Sequence, residues 1–352
     1  MSKLLSPFTL RGLTTRNRVW VSPMCMYSSV DGLPNDWHLM HLGQFAAGGV
    51  GLVMTEASAV VPEGRISPQD AGIWNDDQAT AWRRVTDFVH AQGTAVGMQL
   101  AHAGRKGSTH RPWEPSGTVP VSEGGWPTVG PTPAPFGSYA APRQLSDVEI
   151  AEVPGLFAAA ARRAVTAGFD AVELHLAHGY LAHQFYSPLS NTRTGRYGGD
   201  FAGRTRLAVE IADAVRAEVG ELPLLARLSA TDWTPGGWDV DDTVRLAGVL
   251  AAHGVDLIDV SSGGNNPKAK IPLSPGYQVP FAARVRTEAS VPTGAVGLIT
   301  SPAQAESIVA DGSADVVFLA RELLRDPHFA LRAGSELGVD VEWVPQYVRA
   351  RW

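Results

Sequence analysis

The chain has 352 residues, 44% of them hydrophobic and 18% charged, with a formal charge of −6. This is the composition of a globular protein with a sizeable core, and the lack of a basic cluster argues against a nucleic-acid partner. One cysteine, Cys25, excludes an internal disulfide framework and any cysteine-held metal or iron–sulfur cluster.

The N-terminal stretch MSKLLSPFTLRGLTTRNR has no apolar core long enough for a signal peptide, and no later run approaches a membrane span. A cytoplasmic location, with no membrane partner, is therefore expected. Apolar β-rich runs recur at 17–23, 50–56, 94–100, 170–176, 222–229, 255–262, 291–297 and 314–321. Most are continuous runs of Val, Leu and Ala, as suits strands buried on both faces. Between them the clearest amphipathic segments are 76–93, 145–168, 201–220 and 240–254, three of which end in Gly93, Gly168 and Gly254 like helix C-caps.

Alternation of this kind implies parallel strands with right-handed crossovers. Eight units in one chain favour a single closed α/β barrel, the (β/α)₈ or TIM barrel, spanning 1–352. An open sheet would want a nucleotide fingerprint after its first strand. GGVGLV (48–53) instead precedes a strand, and no Walker-type loop is present. The Pro- and Gly-rich segment 102–144 has no helical period and follows the third strand. It reads as a long functional lid over the mouth of the barrel, with a small hairpin.

Barrel chemistry gathers where strands end. Those ends supply Pro23, Met24, Cys25 and Tyr27; Glu56, Ala57 and Ser58; Gln99 and His102; His175, His178 and Tyr180; Arg227; Ser261 to Gly264; Gly294 and Gly297; and Ala320 and Arg321. The set holds cations, amides and glycines but few acids. His175-x-x-His178-x-Tyr180 admits three readings: metal ligands, hydrogen-bond donors to a substrate oxygen, or core histidines. The metal reading, a metal-dependent barrel hydrolase using His175 and His178, lacks a clear carboxylate partner. GAVG (294–297) with Arg321 reads as a phosphate site after strands seven and eight. Arg227, inside the apolar LLARLSA, must meet a buried anion or an electron-rich ring; a buried ion pair with Glu56 is the alternative to a ligand. Arg227 and Gln99 together suit the pyrimidine edge of a flavin.

Several motifs together resemble the old yellow enzyme family of FMN-dependent ene-reductases, and within it the thermophilic-like branch. They include SPMCMYSS (22–29), EASAVVPEGRIS (56–67), QLAHAGRK (99–106), HLAHGYLAHQFYSPLSNTRT (175–194), SSGG (261–264), TGAVGLIT (293–300) and RELLRDP (321–327). Gly195 and Gly203 depart from the family pattern, and an effect on loop and helix packing is expected rather than on chemistry.

The resemblance implies non-covalent FMN and NADPH or NADH as reductant. Ser22, Pro23, Met24, Cys25, Ala57, Gln99 and Arg227 would contact the flavin ring and ribityl chain. Gly263, Gly297, Ala320 and Arg321 would lie toward its phosphate. The substrates implied are small α,β-unsaturated carbonyl compounds. His175 and His178 would hold the carbonyl oxygen, Tyr180 would donate the proton, Cys25 would tune the flavin, and Tyr27 would line the pocket. In this branch a C-terminal arginine enters a neighbouring subunit's site. Arg349, in the tail 340–352, is the matching residue, which implies a homodimer or homotetramer.

Overall fold

The computed structural model describes residues 2–352. Eight parallel strands close into a barrel: β1 (Val19–Val21), β2 (Leu52–Ala59), β3 (Ala95–Ala101), β4 (Ala171–Leu176), β5 (Leu224–Ser229), β6 (Leu257–Ser261), β7 (Thr293–Ala295) and β8 (Val316–Leu319). Six lie inside the apolar runs; β2 passes the end of its run by three residues, to Ala59, and β3 by one, to Ala101. Closure is made by β8 against β1, with Val317 opposite Val19 and Leu319 opposite Val21.

The outer helices follow their strands in order: α1 (Asp36–Ala47), α2 (Asp76–Ala91), α3 (Asp147–Thr166), α4 (Phe201–Val219), α5 (Val240–Ala252), α6 (Val279–Glu288), α7 (Pro302–Ala310) and α8 (Phe329–Glu336). Polar side chains fix several starts. Asn35, Asn75, Ser146, Asp200, Asp239 and Ser301 each accept a first-turn N–H, satisfying donors the helix itself leaves free. Gly93, Gly168 and Gly254 follow α2, α3 and α5 with φ of 69°, 87° and 88°, the left-handed turn that ends a helix. Gly203 lies in the first turn of α4, where a Cβ would stand 2.0 Å from Gly198 O. Its missing side chain belongs to that loop–helix contact.

One continuous core lies between the barrel wall and the helices. A second, smaller one fills the base of the barrel. There an antiparallel hairpin, Phe8–Leu10 with Leu13–Thr15, lays Leu10, Phe8 and Leu13 on Trp20, Leu52, Leu225, Leu257 and Phe318.

Segment 102–144 differs in detail from the expected hairpin. It carries a two-residue parallel pair, Val129–Gly130 with Arg143–Gln144, and one antiparallel bridge, Thr109 to Thr118. With so many prolines, long ladders of N–H donors cannot form. Side chains tie the segment down instead. Among the described residues, no helix is long and apolar enough to cross a membrane.

Candidate functional site

Strand register decides which side chains meet. Ala57 on β2 lies opposite Gln99 on β3, and Gln99 opposite Glu173 on β4. His175 on β4 lies opposite Arg227 on β5, and Arg227 opposite Asp259 on β6. Alternate residues share a face, so Glu173 and His175 stand one above the other inside the barrel.

The His175, His178 and Tyr180 rings form one cluster. The His175 ring lies 5.1 Å from His178 and 4.9 Å from Tyr180, both edge-on. The turn that presents them bends through the left-handed region, with φ of 59° at His178 and 73° at Gly179. That conformation costs a non-glycine residue about 1–2 kcal/mol, so the turn has to be held from outside. His178 N–H donates to Ser229 Oγ at 2.9 Å, and Lys106 Nζ donates to His178 O at 2.8 Å. Gly179 N–H donates to His183 Nδ1 at 2.9 Å, and Gln184 Nε2 donates to Gly179 O at 2.8 Å. His183 then pairs through Nε2 with Asp232 at 2.9 Å, both side chains fully buried. At Gly179 a Cβ would stand 2.3 Å from Gly264 O.

Electrostatics keep this cluster neutral. Enclosure, then the nearby cations including Arg227 and Lys106, hold the His175 and His178 imidazoles well below the usual histidine range. Enclosure pushes the Tyr180 phenol well above its ordinary value, so it keeps its proton. His175 Nδ1 accepts from Ala177 N–H at 3.3 Å, which places the ring proton on Nε2. His178 Nε2 meets Ser261 Oγ at 2.7 Å.

Cys25 packs with Ala57, Ala101, Ala103, Tyr27 and Tyr180. Burial and the Asp70 and Glu56 carboxylates push its thiol well up. It is a protonated, apolar neighbour of the site rather than a thiolate. Tyr27, with φ of 52°, faces Trp113 of segment 102–144 at 5.8 Å. Ser22 follows β1, and its Oγ accepts from Arg227 Nη2 at 2.6 Å. Pro23 and Met24 follow it, half-buried at the rim.

Two sequence readings are corrected here. Arg227 pairs with Asp259, Nε to Oδ2 at 2.6 Å, and not with Glu56. Glu56 is taken by His38 Nε2 at 3.0 Å and by Met26 N–H at 3.1 Å. Acids are also not scarce: Glu56, Asp70, Glu173, Asp232 and Asp259 are all buried. They lie one layer below or behind the mouth, where a list of strand-end residues does not look. Burial, then Glu56, pushes the Asp70 carboxyl up to about 7.

The other side of the mouth is a cavity lined by Gly297, Leu298, Thr300, Ala320, Arg321 and Arg325. Gly297 is packed so closely that a Cβ would stand 2.6 Å from Gln278 Nε2. Arg325 is engaged by Glu322 at 2.6 Å, while Arg321 has no carboxylate partner among the described residues. A cation without a carboxylate partner beside the Gly297 turn suits a phosphate. Gly263 lies apart from that cavity, beside Trp233 and Ile271.

Lys106 and Arg105 were given no role from sequence, although QLAHAGRK contains them. Lys106 Nζ bridges His178 O and Gly264 O at 2.8 Å each and faces the Tyr180 ring at 5.0 Å. Burial, then Arg105, pushes its amine down to about 7. Arg105 donates to Asn265 O and Oδ1 at 3.0 and 2.9 Å. A cationic pair directly after a strand end was the available signal. Arg349 is exposed in a short terminal helix, and neighbouring residues 342–346 share a crevice with Gln92 and Gly93. Those residues precede β3, so the tail lies at the end away from its own chain's mouth.

A fit to FMN can be judged from these groups. Gln99 and Arg227 offer an acceptor and donors to a pyrimidine edge, Ala57 and Cys25 an apolar wall, and Arg321 a phosphate anchor. The metal-hydrolase alternative is not favoured, since among the described residues no three His, Cys, Asp or Glu side chains are grouped to hold an ion.

Comparison with known proteins agrees. Residues 3–339 match the NADH:flavin oxidoreductase / NADH oxidase family. An NADPH dehydrogenase of Geobacillus sp. (strain WCH70) is 47% identical over 349 residues, covering 98% of both chains. An NADPH dehydrogenase of Bacillus velezensis is 45% identical over 351 residues, covering 99% of both. The solved structure of morphinone reductase superposes with a TM-score of 0.80 at 26% identity, over 98% of this chain and 92% of that one.

Proposed function

The chain belongs to the NADH:flavin oxidoreductase / NADH oxidase family, as an FMN-dependent oxidoreductase of the old yellow enzyme kind fed by a reduced nicotinamide, and from that premise we propose that it is an ene-reductase. Its substrates are α,β-unsaturated carbonyl compounds, whose activated C=C bond it saturates. FMN, when bound, supplies the hydride that adds to the β-carbon of the alkene. The protein's own residues do the rest.

His175 and His178 bind the carbonyl oxygen. Charge moves onto that oxygen as the β-carbon is reduced, and N–H donors already aimed at it stabilise the transition state more than the ground state. Neutral imidazoles serve this purpose without the hydration a full cation would hold. For His178 to donate from Nδ1, its Nε2 must accept, so Ser261 Oγ is the donor in the 2.7 Å contact between them. Tyr180 protonates the α-carbon. A phenol is a weak acid, but the carbon it protonates is strongly basic. Cys25 and Tyr27 form the wall that packs on the cofactor and substrate. Ser22, Met24, Ala57, Gln99 and Arg227 hold the flavin ring, with Gly297, Ala320 and Arg321 at its phosphate. Arg349, remote from its own mouth, would serve the pocket of a partner in a homodimer or homotetramer.

The observation that carries this reading is the neutral cluster of two imidazoles and one phenol beside Arg227. Anaerobic stopped-flow tests it. NADPH or NADH should bleach the flavin band, and a cyclic enone should restore it. An enzyme that bleaches but is never reoxidised by any enone in a broad panel is not an ene-reductase.

A further inference from the structure

Below the residues that face the mouth, the hydrogen bonds do not balance with every carboxyl ionised. Glu173 on β4 and Asp259 on β6 are both fully buried, and each lies close enough to act on the other's carboxyl group. Arg227 Nε donates to Asp259 Oδ2 at 2.6 Å, and Gln99 Nε2 donates to Glu173 Oε1 at 2.7 Å. The remaining oxygens, Glu173 Oε2 and Asp259 Oδ1, have no partner. Two neighbouring anions against one guanidinium would leave a buried net charge and two idle acceptors. A single proton removes both faults.

We propose that Glu173 and Asp259 share one proton, carried by Glu173, and that this acid–carboxylate pair is a positioning device for Gln99 and Arg227. The proton belongs on Glu173 because Asp259 is the group paired with a cation, while Glu173 meets only a neutral amide. With Glu173 Oε2–H donating to Asp259 Oδ1, all four carboxyl oxygens are engaged. Burial, then the Asp259 charge, pushes the Glu173 carboxyl up to about 8, in the same direction.

The consequence reaches the mouth. Gln99 commits Nε2 downward to Glu173, so its Oε1 turns toward the mouth as an acceptor. Arg227 spends Nε on Asp259 and one Nη2 hydrogen on Ser22 Oγ, leaving its other N–H groups as donors. The ligand edge selected is one with an N–H beside a carbonyl oxygen, an imide-like edge. The shared proton stands on the two carboxyl groups alone, whereas its bearing on the cofactor rests on the flavin reading.

Isotope-edited infrared spectroscopy tests it, with ¹³C-carboxyl glutamate in the holoprotein near neutral pH. One label-shifted band of a protonated carboxyl is expected, and it should vanish in Glu173→Gln. That amide keeps both hydrogen bonds, so its FMN Kd should stay within about threefold, whereas Asp259→Asn should weaken FMN on the order of tenfold or more. No such band, or a Glu173→Gln variant that loses FMN as severely as Asp259→Asn, overturns the proposal. If Asp259→Asn does not fold, the band and the Glu173→Gln affinity still decide. Should the protein take up no FMN, the flavin reading fails, and the same band in the apoprotein still reports the proton.

Discussion

The two sides of the mouth are built differently. On the arc from β4 to β6, polar groups are set by buried partners: the His178–Gly179 turn by Ser229, Lys106 and the His183–Asp232 pair, and Arg227 by Asp259 and Ser22. On the arc of β7 and β8, Arg321 is exposed, and the cavity is lined by apolar residues together with Gly297, Thr300, Ala320 and two arginines. Reaction chemistry needs donors fixed in direction, because a misaimed donor loses most of its effect. Anchoring an anion needs only a nearby charge and free N–H groups. The first arc is therefore where single substitutions should act most strongly.

The largest effect expected is that of Tyr180→Phe. Loss of a general acid should slow alkene reduction by roughly 10²–10⁴-fold, while bleaching by the nicotinamide is unchanged. An alkene step within threefold of the parent would take the proton away from Tyr180. Next comes Asp232→Ala, which removes the buried acceptor of His183 Nε2. Unfolding titrations should show a loss of about 3–5 kcal/mol, and a loss under about 1 kcal/mol would mean the turn is not held from this side.

Acid should weaken the fold as a whole. Burial pushes His102, at the end of β3, down to about 4. Its folded value lies below the ordinary 6.5, so the unfolded chain takes up the proton first. Stability is then fully present above about pH 6.5 and is lost as pH falls toward 4, by about 3 kcal/mol from this residue. His41, also pushed down to about 4 chiefly by burial, adds in the same direction. A chain equally stable at both ends of that range contradicts these buried neutral imidazoles.

On the other arc, Arg321→Ala should weaken FMN by about 10–100-fold yet leave the apoprotein's melting temperature where it was. A comparable fall in melting temperature would show this arc to be as structural as the first. Smallest of all, Arg349→Ala should alter KM for the alkene by a few-fold, on the order of 1 kcal/mol or less, and leave bleaching by the nicotinamide alone.

Much of the fold could be read because strands buried on both faces are continuous apolar runs, and all eight fall on the runs so marked, with only β2 and β3 passing their ends. Short helices were harder. α7 has nine residues, and α6 begins at a proline-bearing turn, so neither shows a long apolar stripe. His175, His178, Tyr180, Cys25, Ala57, Gln99 and Arg227 are legible as strand ends and motif positions, and the barrel brings them together. Asp259 and Glu173 were not, because a lone acid in an apolar strand gives no sign of which cation or amide the register will bring beside it. Nor does the sequence show that Glu56, the alternative partner for Arg227, is claimed by His38, a residue of α1 far from any strand end.

The hairpin of residues 8–15 has a kinetic consequence. With Phe8, Leu10 and Leu13 stoppering the base on Trp20 and Phe318, the lumen has a single doorway. On the proposed reaction, donor and acceptor would take turns at that doorway, each leaving before the other enters. Steady-state plots at several fixed concentrations of one substrate should accordingly run parallel rather than intersect.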